Sequence, residues 1–193
     1  MNYYLLKYSE DEKDNLTKGQ LPILVNSYEL HGFDLRTLWR GNYIEEWPDN
    51  IELYYEKGNV ILDYIPNVLS WLIFSDNVIT MLNQLNVTEI QYFPINIYNI
   101  KNKSKNFMVN VVNTLETVSA LDWERSDYIS WEDDPKYIKF LRKIVLKADS
   151  DYRNLDMFRL AESKNYIIVS ERIKKCLEME KLTGFGLTSL EIM

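Results

Sequence analysis

The sequence predicts an α/β or α+β fold with a mixed, mostly antiparallel sheet built from two related β-α-β halves. Three observations carry this expectation. Short apolar runs of strand length recur between turn residues along most of the chain. An internal repeat relates residues 72–90 to 167–185: Leu72-Ile73-Phe74-Ser75-Asp76-Asn77-Val78 resembles Ile167-Ile168-Val169-Ser170-Glu171-Arg172-Ile173, and at the same offset Leu82 falls on Leu177, Val87-Thr88 on Leu182-Thr183 and Ile90 on Phe185. The bulk numbers suit a globular chain: 193 residues, 46% hydrophobic and 26% charged, enough for one domain over 1–193 with its own core.

The elements follow in order. Tyr3 to Tyr8 reads as the first strand, and Ser9 to Gln20, polar without period, as a surface loop. Ile51 to Glu56 suits a strand, Lys57-Gly58-Asn59 is turn chemistry, and Val60 to Tyr64 is expected as the hairpin mate. Glu89 to Tyr98 is a strand whose Pro94 implies a sheet edge or a bulge, because proline donates no ladder hydrogen bond. Lys101 to Asn106 then reads as a hairpin loop before a strand at Phe107 to Val112. Residues 135–146 fit either period: Tyr137, Leu141, Ile144 and Val145 fit a helical face, and Ile138, Phe140, Ile144 and Leu146 a strand face. Leu155 to Leu160 and Tyr166 to Val169 read as strands joined by a turn at 162–165.

Each repeat copy reads as strand, helix, strand. Ser75 and Ser170 are expected as N-caps, since a serine hydroxyl can accept from a free amide of the first turn. Asp76 and Glu171 follow where negative charge meets the positive end of the helix dipole. Gly184 is expected to turn the chain into the last strand, because glycine tolerates positive φ.

Candidate chemistry is sparse. His31 is the lone histidine and sits in a predicted loop, and Cys176, the lone cysteine, aligns with Met81 and is expected to be buried and inert. One of each cannot supply the usual zinc ligand set, so no metal, cofactor or catalytic residue is expected. A single cysteine makes no internal disulfide, and the start of the chain lacks the pattern of a signal peptide. A cytoplasmic protein without a membrane span is expected. The net charge of −7 disfavours nucleic acid and favours a basic protein partner.

One segment combines large aromatics with acids: Asp122, Trp123, Glu124, Asp127, Tyr128, Trp131, Glu132, Asp133 and Asp134. Aromatics supply contact area and carboxylates steer a basic partner, so these residues are the candidate partner-binding set. The alternative is that Trp123 and Trp131 anchor the segment in the core while the acids are solvated.

Further landmarks occur in a definite order: Trp39-Arg40-Gly41, Trp47-Pro48, Asp63, Ile73-Phe74-Ser75, Pro94, Leu121-Asp122 with Ser126, Phe158-Arg159-Leu160, Ile168-Val169-Ser170 and Leu182-Thr183-Gly184. Their order and spacing over roughly residues 35 to 190 resemble the eleventh immunity family of the polymorphic-toxin classification, formerly a domain of unknown function. One departure is Phe107 before Val109-Asn110, where the family tends to place tyrosine. The resemblance implies a bacterial cytoplasmic immunity protein that neutralises a cognate toxin by stoichiometric binding and is not an enzyme. It brings no catalytic residues with it, and Trp39 and Trp47 are expected to pack in the core. A small carboxylate-dependent hydrolase and a homo-oligomeric scaffold subunit, such as a homodimer, stay open as alternatives.

Overall fold

The computed structural model describes residues 2–9, 24–26, 33–34, 36–48, 51–55, 61–101, 105–133 and 137–193. His31, Asp134, all of the predicted Ser9–Gln20 loop but Ser9, and the predicted turn at 57–59 lie outside them. In chain order the elements are β1 (Tyr3–Tyr8), β2 (Leu24–Asn26), α1 (Arg36–Arg40), β3 (Glu52–Tyr55), β4 (Leu72–Phe74), α2 (Asp76–Gln84), β5 (Ile90–Asn99), β6 (Lys105–Thr114), β7 (Thr117–Val118), β8 (Asp127–Ser130), β9 (Ile138–Lys143) and β10 (Val145–Leu146). A 3-10 turn (Asp151–Asn154), β11 (Met157–Leu160), β12 (Ile167–Ser170), α3 (Glu171–Met179), β13 (Phe185–Ser189) and β14 (Glu191–Ile192) complete the fold. Strands dominate, and the class is α+β with mixed, mostly antiparallel pairing.

Among these residues the strands form two five-stranded sheets, ordered β13-β1-β12-β11-β7 and β2-β3-β5-β6-β4, and two two-stranded ribbons, β8-β9 and β10-β14. Within the sheets the triplets β5-β6-β4 and β13-β1-β12 have the same plan. In each, the outer strands run antiparallel to the central one and hence parallel to each other, and a helix connects them. Only the source of the central strand differs: β6 follows its unit directly, whereas β1 comes from the other end of the chain.

The repeated sequence explains the local geometry. Each helix closes with the same hydrogen bonds, Val87 N–H to Leu82 O and Asn86 N–H to Asn83 O in one, Leu182 N–H to Leu177 O and Lys181 N–H to Glu178 O in the other. The turn needs a left-handed residue just after the helix, and Asn86 and Lys181 take it, at φ 53° and 55°. Val87 and Leu182 then fold back onto Leu82 and Leu177 in the shared apolar core.

Alternation along the strands sorts the apolar side chains into three clusters. Leu6, Leu72, Phe74, Val112, Ile167 and Val169 face a central core with both long helices. Their neighbours point the other way: Ile73 and Val111 into a cluster behind the second sheet, and Leu5 and Ile168 into one behind the first. Strands β4, β11 and β12 are therefore buried on both faces, which accounts for their near-continuous apolar runs.

Several expectations need correction. Residues 61–64 are not the hairpin mate of β3, which pairs antiparallel with β2 and parallel with β5. They dock instead against β4 and the start of α2, through a Tyr64–Phe74 bridge, Ile65 N–H to Ile73 O and Ser75 N–H to Asp63 O. Pro94 lies in an interior strand, but β3 covers only Asn96–Asn99, so the β3-facing side of β5 has no β3 partner at Pro94. The ambiguous window resolves into strands, because Ile138–Lys143 hydrogen-bond to β8 and Val145–Leu146 pair with β14. Ser170 accepts from the Ile173 amide as expected, whereas the Ser75 side chain makes no cap bond. Cys176 is half-buried and packs at the margin of the central core.

Candidate functional site

Ribbon β8-β9 carries an exposed aromatic face. The register pairs Tyr128 with Leu141 and Ile129 with Phe140, so the two pairs point to opposite sides. Tyr128 faces inward, packing edge-to-face on Trp123 with ring centroids 5.1 Å apart, and both lean on the cluster behind the first sheet. Ile129, Trp131, Tyr137 and Phe140 point outward and are exposed, Trp131 and Phe140 each by 53%. Trp131 N–H donates to Tyr137 O at 3.0 Å, which closes the ribbon end, and the Lys139 ammonium lies 4.9 Å from the Trp131 ring centroid. Such a concentration of apolar surface on one short ribbon costs solubility.

Asp122 anchors the ribbon base. It is buried, and one carboxylate oxygen accepts from the Glu124 and Arg125 amides while the other accepts from the Arg125 guanidinium at 2.8 Å. The hydrogen bond from Arg125, and then those from the two amides, hold its carboxyl below the usual range against the opposing effect of burial. Ser126 continues the anchor: its hydroxyl accepts from the Val145 amide at 3.0 Å. Asp127 is exposed and lies 3.9 Å from Arg142. Glu124, Glu132 and Asp133 are exposed, and none makes an ion pair among the described residues.

The candidate set therefore divides by place. Asp122, Trp123 and Tyr128 are engaged with the protein itself. Trp131, Glu132 and Asp133 stand at the outer end of the ribbon, with Glu124 and Asp127 exposed nearer its base, and Asp134 lies outside the described residues. Sequence reasoning missed Ile129, Tyr137 and Phe140 as surface residues. An exposed aromatic and a core aromatic look alike in sequence, and only the cross-strand register separates them.

The other landmarks converge at the junctions between the two sheets. Asp63 Oδ1 accepts from the Ser75 hydroxyl at 2.7 Å, and its Oδ2 accepts from the Thr183 amide and hydroxyl at 2.8 and 2.9 Å. Asp156 holds the matching place in the other half, accepting from the Ser170 hydroxyl at 2.6 Å and pairing with Arg172. Arg159 and Gly41 meet at a third junction. An added Cβ on Gly41, whose φ is +70°, would sit 2.7 Å from Thr114 O and 3.1 Å from the Arg159 side chain. Trp47 stacks on Phe93 at 4.4 Å and packs against the core as expected, whereas Trp39, also expected in the core, is exposed and donates its indole N–H to Leu69 O at 2.9 Å.

The model of the Imm11 immunity protein family matches residues 6–191. The chain belongs to this immunity protein family. No curated protein matches the chain. The match takes in both long helices and the ribbon, so the junction residues and the ribbon lie within the matched stretch. Among the described residues no helix is long and apolar enough to cross a membrane.

Asp63 gives this immunity fold a pH-sensitive junction. Burial pushes its carboxyl up, but the hydrogen bonds from Ser75, Thr183 and Asn77 outweigh burial and hold it below the usual 3.8. A depressed carboxyl stabilises the fold fully above its unfolded value and loses that contribution as pH falls through the folded one. Asp63→Asn is expected to cost about 2 kcal/mol at pH 7, the worth of charge-assisted hydrogen bonds. Urea melts at a series of pH values check this: the gap between parent and variant should close as the pH drops below about 4. A gap unchanged down to pH 3 would refute the charged role.

Proposed function

We propose that the protein is a toxin-neutralising immunity protein that acts by stoichiometric binding rather than catalysis, and that the outer face of ribbon β8-β9 is its main contact surface. Membership of the immunity protein family carries the first half of this reading. The cluster of Ile129, Trp131, Tyr137 and Phe140 supports the second, because large exposed side chains on a short hydrogen-bonded ribbon are already ordered and lose little entropy on docking. Glu132 and Asp133 at the ribbon end and the net charge of −7 favour a basic toxin surface, which they would attract at long range. Neutralisation then follows from occupying the toxin surface, with no bond made or broken. A cytoplasmic location suits a protein that must meet its toxin inside the producing cell.

The experiment is to isolate the tagged chain from its own host, identify the co-eluting protein, and determine the mass of the reconstituted complex. A 1:1 complex that abolishes the activity of the toxin is expected. A chain that destroys the toxin at substoichiometric amounts would overturn the binding mechanism. A chain that assembles only with itself, at multiples of 23.0 kDa, would favour the scaffold reading instead.

A further inference from the structure

The junction between the two sheets encloses a cleft of about 270 Å³, distinct from the ribbon, whose lining includes Arg159, Trp71, Trp39, Leu72, Ile167 and Asn165. Arg159 is 5% exposed and keeps its charge without a carboxylate partner among the described residues. Three backbone carbonyls hold it instead: Nε donates to Thr114 O at 3.1 Å, Nη1 to Lys164 O at 2.9 Å and Nη2 to Leu38 O at 2.7 Å. A guanidinium has five N–H groups, so two stay unengaged by described residues. Burial pulls its pKa down to about 10, which leaves it cationic at neutral pH.

A second observation points to a ligand. Trp71, 2% exposed and part of the same lining, has a buried indole N–H without an acceptor among the described residues. A buried donor left unpaired costs free energy of order 1–3 kcal/mol, so it is a group that an incoming acceptor would satisfy.

We propose that this cleft binds a small monocarboxylate with an aliphatic or aromatic body. The two remaining guanidinium N–H groups suit a carboxylate oxygen, the indole N–H adds a further donor, and the leucine, isoleucine and tryptophan side chains take up the hydrocarbon part. A single cation suits a monoanion and would leave a phosphate dianion undercompensated. Among the described residues the lining contains no aspartate or glutamate that would repel the ligand. The site is independent of the ribbon, and the titrations that can overturn it need no toxin.

The test uses benzoate, benzyl alcohol and inorganic phosphate, titrated into the full ¹⁵N-labelled chain in a buffer free of carboxylates. Saturable movement of one tryptophan indole resonance with benzoate is expected, and Trp71→Phe should delete that resonance and weaken benzoate binding about 5-fold or more. Asn165→Trp, at the exposed rim, should block entry without touching Arg159, which keeps the test decisive if Trp71→Phe unfolds. Benzyl alcohol, the neutral counterpart, should bind at least about 10-fold more weakly, the worth of a charge-assisted bond. No saturable response to benzoate, an equal response to benzyl alcohol, or tighter binding of phosphate would overturn the proposal. Two supporting outcomes separate the source of the carboxylate. If benzoate displaces a bound toxin, the carboxylate belongs to the toxin chain; if the complex still binds benzoate, it belongs to a free small molecule.

Discussion

A chain carrying Trp131→Ala together with Phe140→Ala is expected to bind its cognate toxin about 100-fold more weakly, with a melting temperature within about 2 °C of the parent. Aromatic side chains at the centre of an interface each lose about 2 kcal/mol or more when truncated. Neighbouring residues are not additive, so about 3 kcal/mol for the pair is the reasonable total, and each 1.4 kcal/mol is about a factor of ten. Stability is spared because both rings are half exposed, at 53%, and face away from the Tyr128–Leu141 pair that seats the ribbon on the core. Tyr43→Ala serves as the control. That ring is 69% exposed on the loop after α1, far from the ribbon in sequence, and its loss should change neither quantity. Calorimetric titration and thermal melts check both. A double variant that folds normally and binds as tightly as the parent would move the interface elsewhere.

The second large effect is on folding. Gly184→Ala is expected to destabilise the protein by about 3 kcal/mol, because two costs add. Gly184 has φ +87°, where an L-residue pays about 1–2 kcal/mol. Its added Cβ would also lie 2.5 Å from Tyr64 O and 3.2 Å from Tyr64 N, which are backbone atoms that no rotamer change can move. Tyr64 N–H also donates to Thr183 O at 3.0 Å, beside the Asp63–Thr183 bonds, so relieving the clash would pull apart the contact between the two halves. For a chain of this length the melting temperature should fall by about 10 °C. A scanning calorimetry endotherm within about 2 °C of the parent would show that the turn relaxes at no cost.

Local chemistry made much of the architecture legible. Strand β1, the β11-β12 hairpin and the strand-helix-strand pattern at 72–90 and 167–185 were readable because each is encoded by neighbours within a few residues: an apolar run, a cap, a turn. The landmark order likewise pointed to the immunity family that the match over residues 6–191 establishes. Where the reading failed, the missing information was long-range. Nothing local says that residues 61–64 leave β3 and bond to β4 and Thr183, since Asp63 and Thr183 are 120 positions apart. The Ser75 hydroxyl, read as a cap in sequence, donates to the Asp63 carboxylate and makes no cap bond, whereas the Ser170 hydroxyl donates to Asp156 and still accepts from the Ile173 amide, a difference that no local pattern encodes. The window 135–146 fits two periods, and pairing with β8 decided it.

By itself, then, the sequence determined the class of fold, the repeated unit and the family, all of which depend on patterns of neighbouring residues. The tertiary structure alone decided which chemistry is gathered and which is exposed. It buried Asp122 as an anchor, turned Trp131 and Phe140 outward on one ribbon face, and brought Arg159, Trp71 and Leu38 around a single cleft from three distant stretches of chain. Side-chain burial and charge pairing depend on strand register and sheet packing, and these arise from contacts that a linear pattern does not specify.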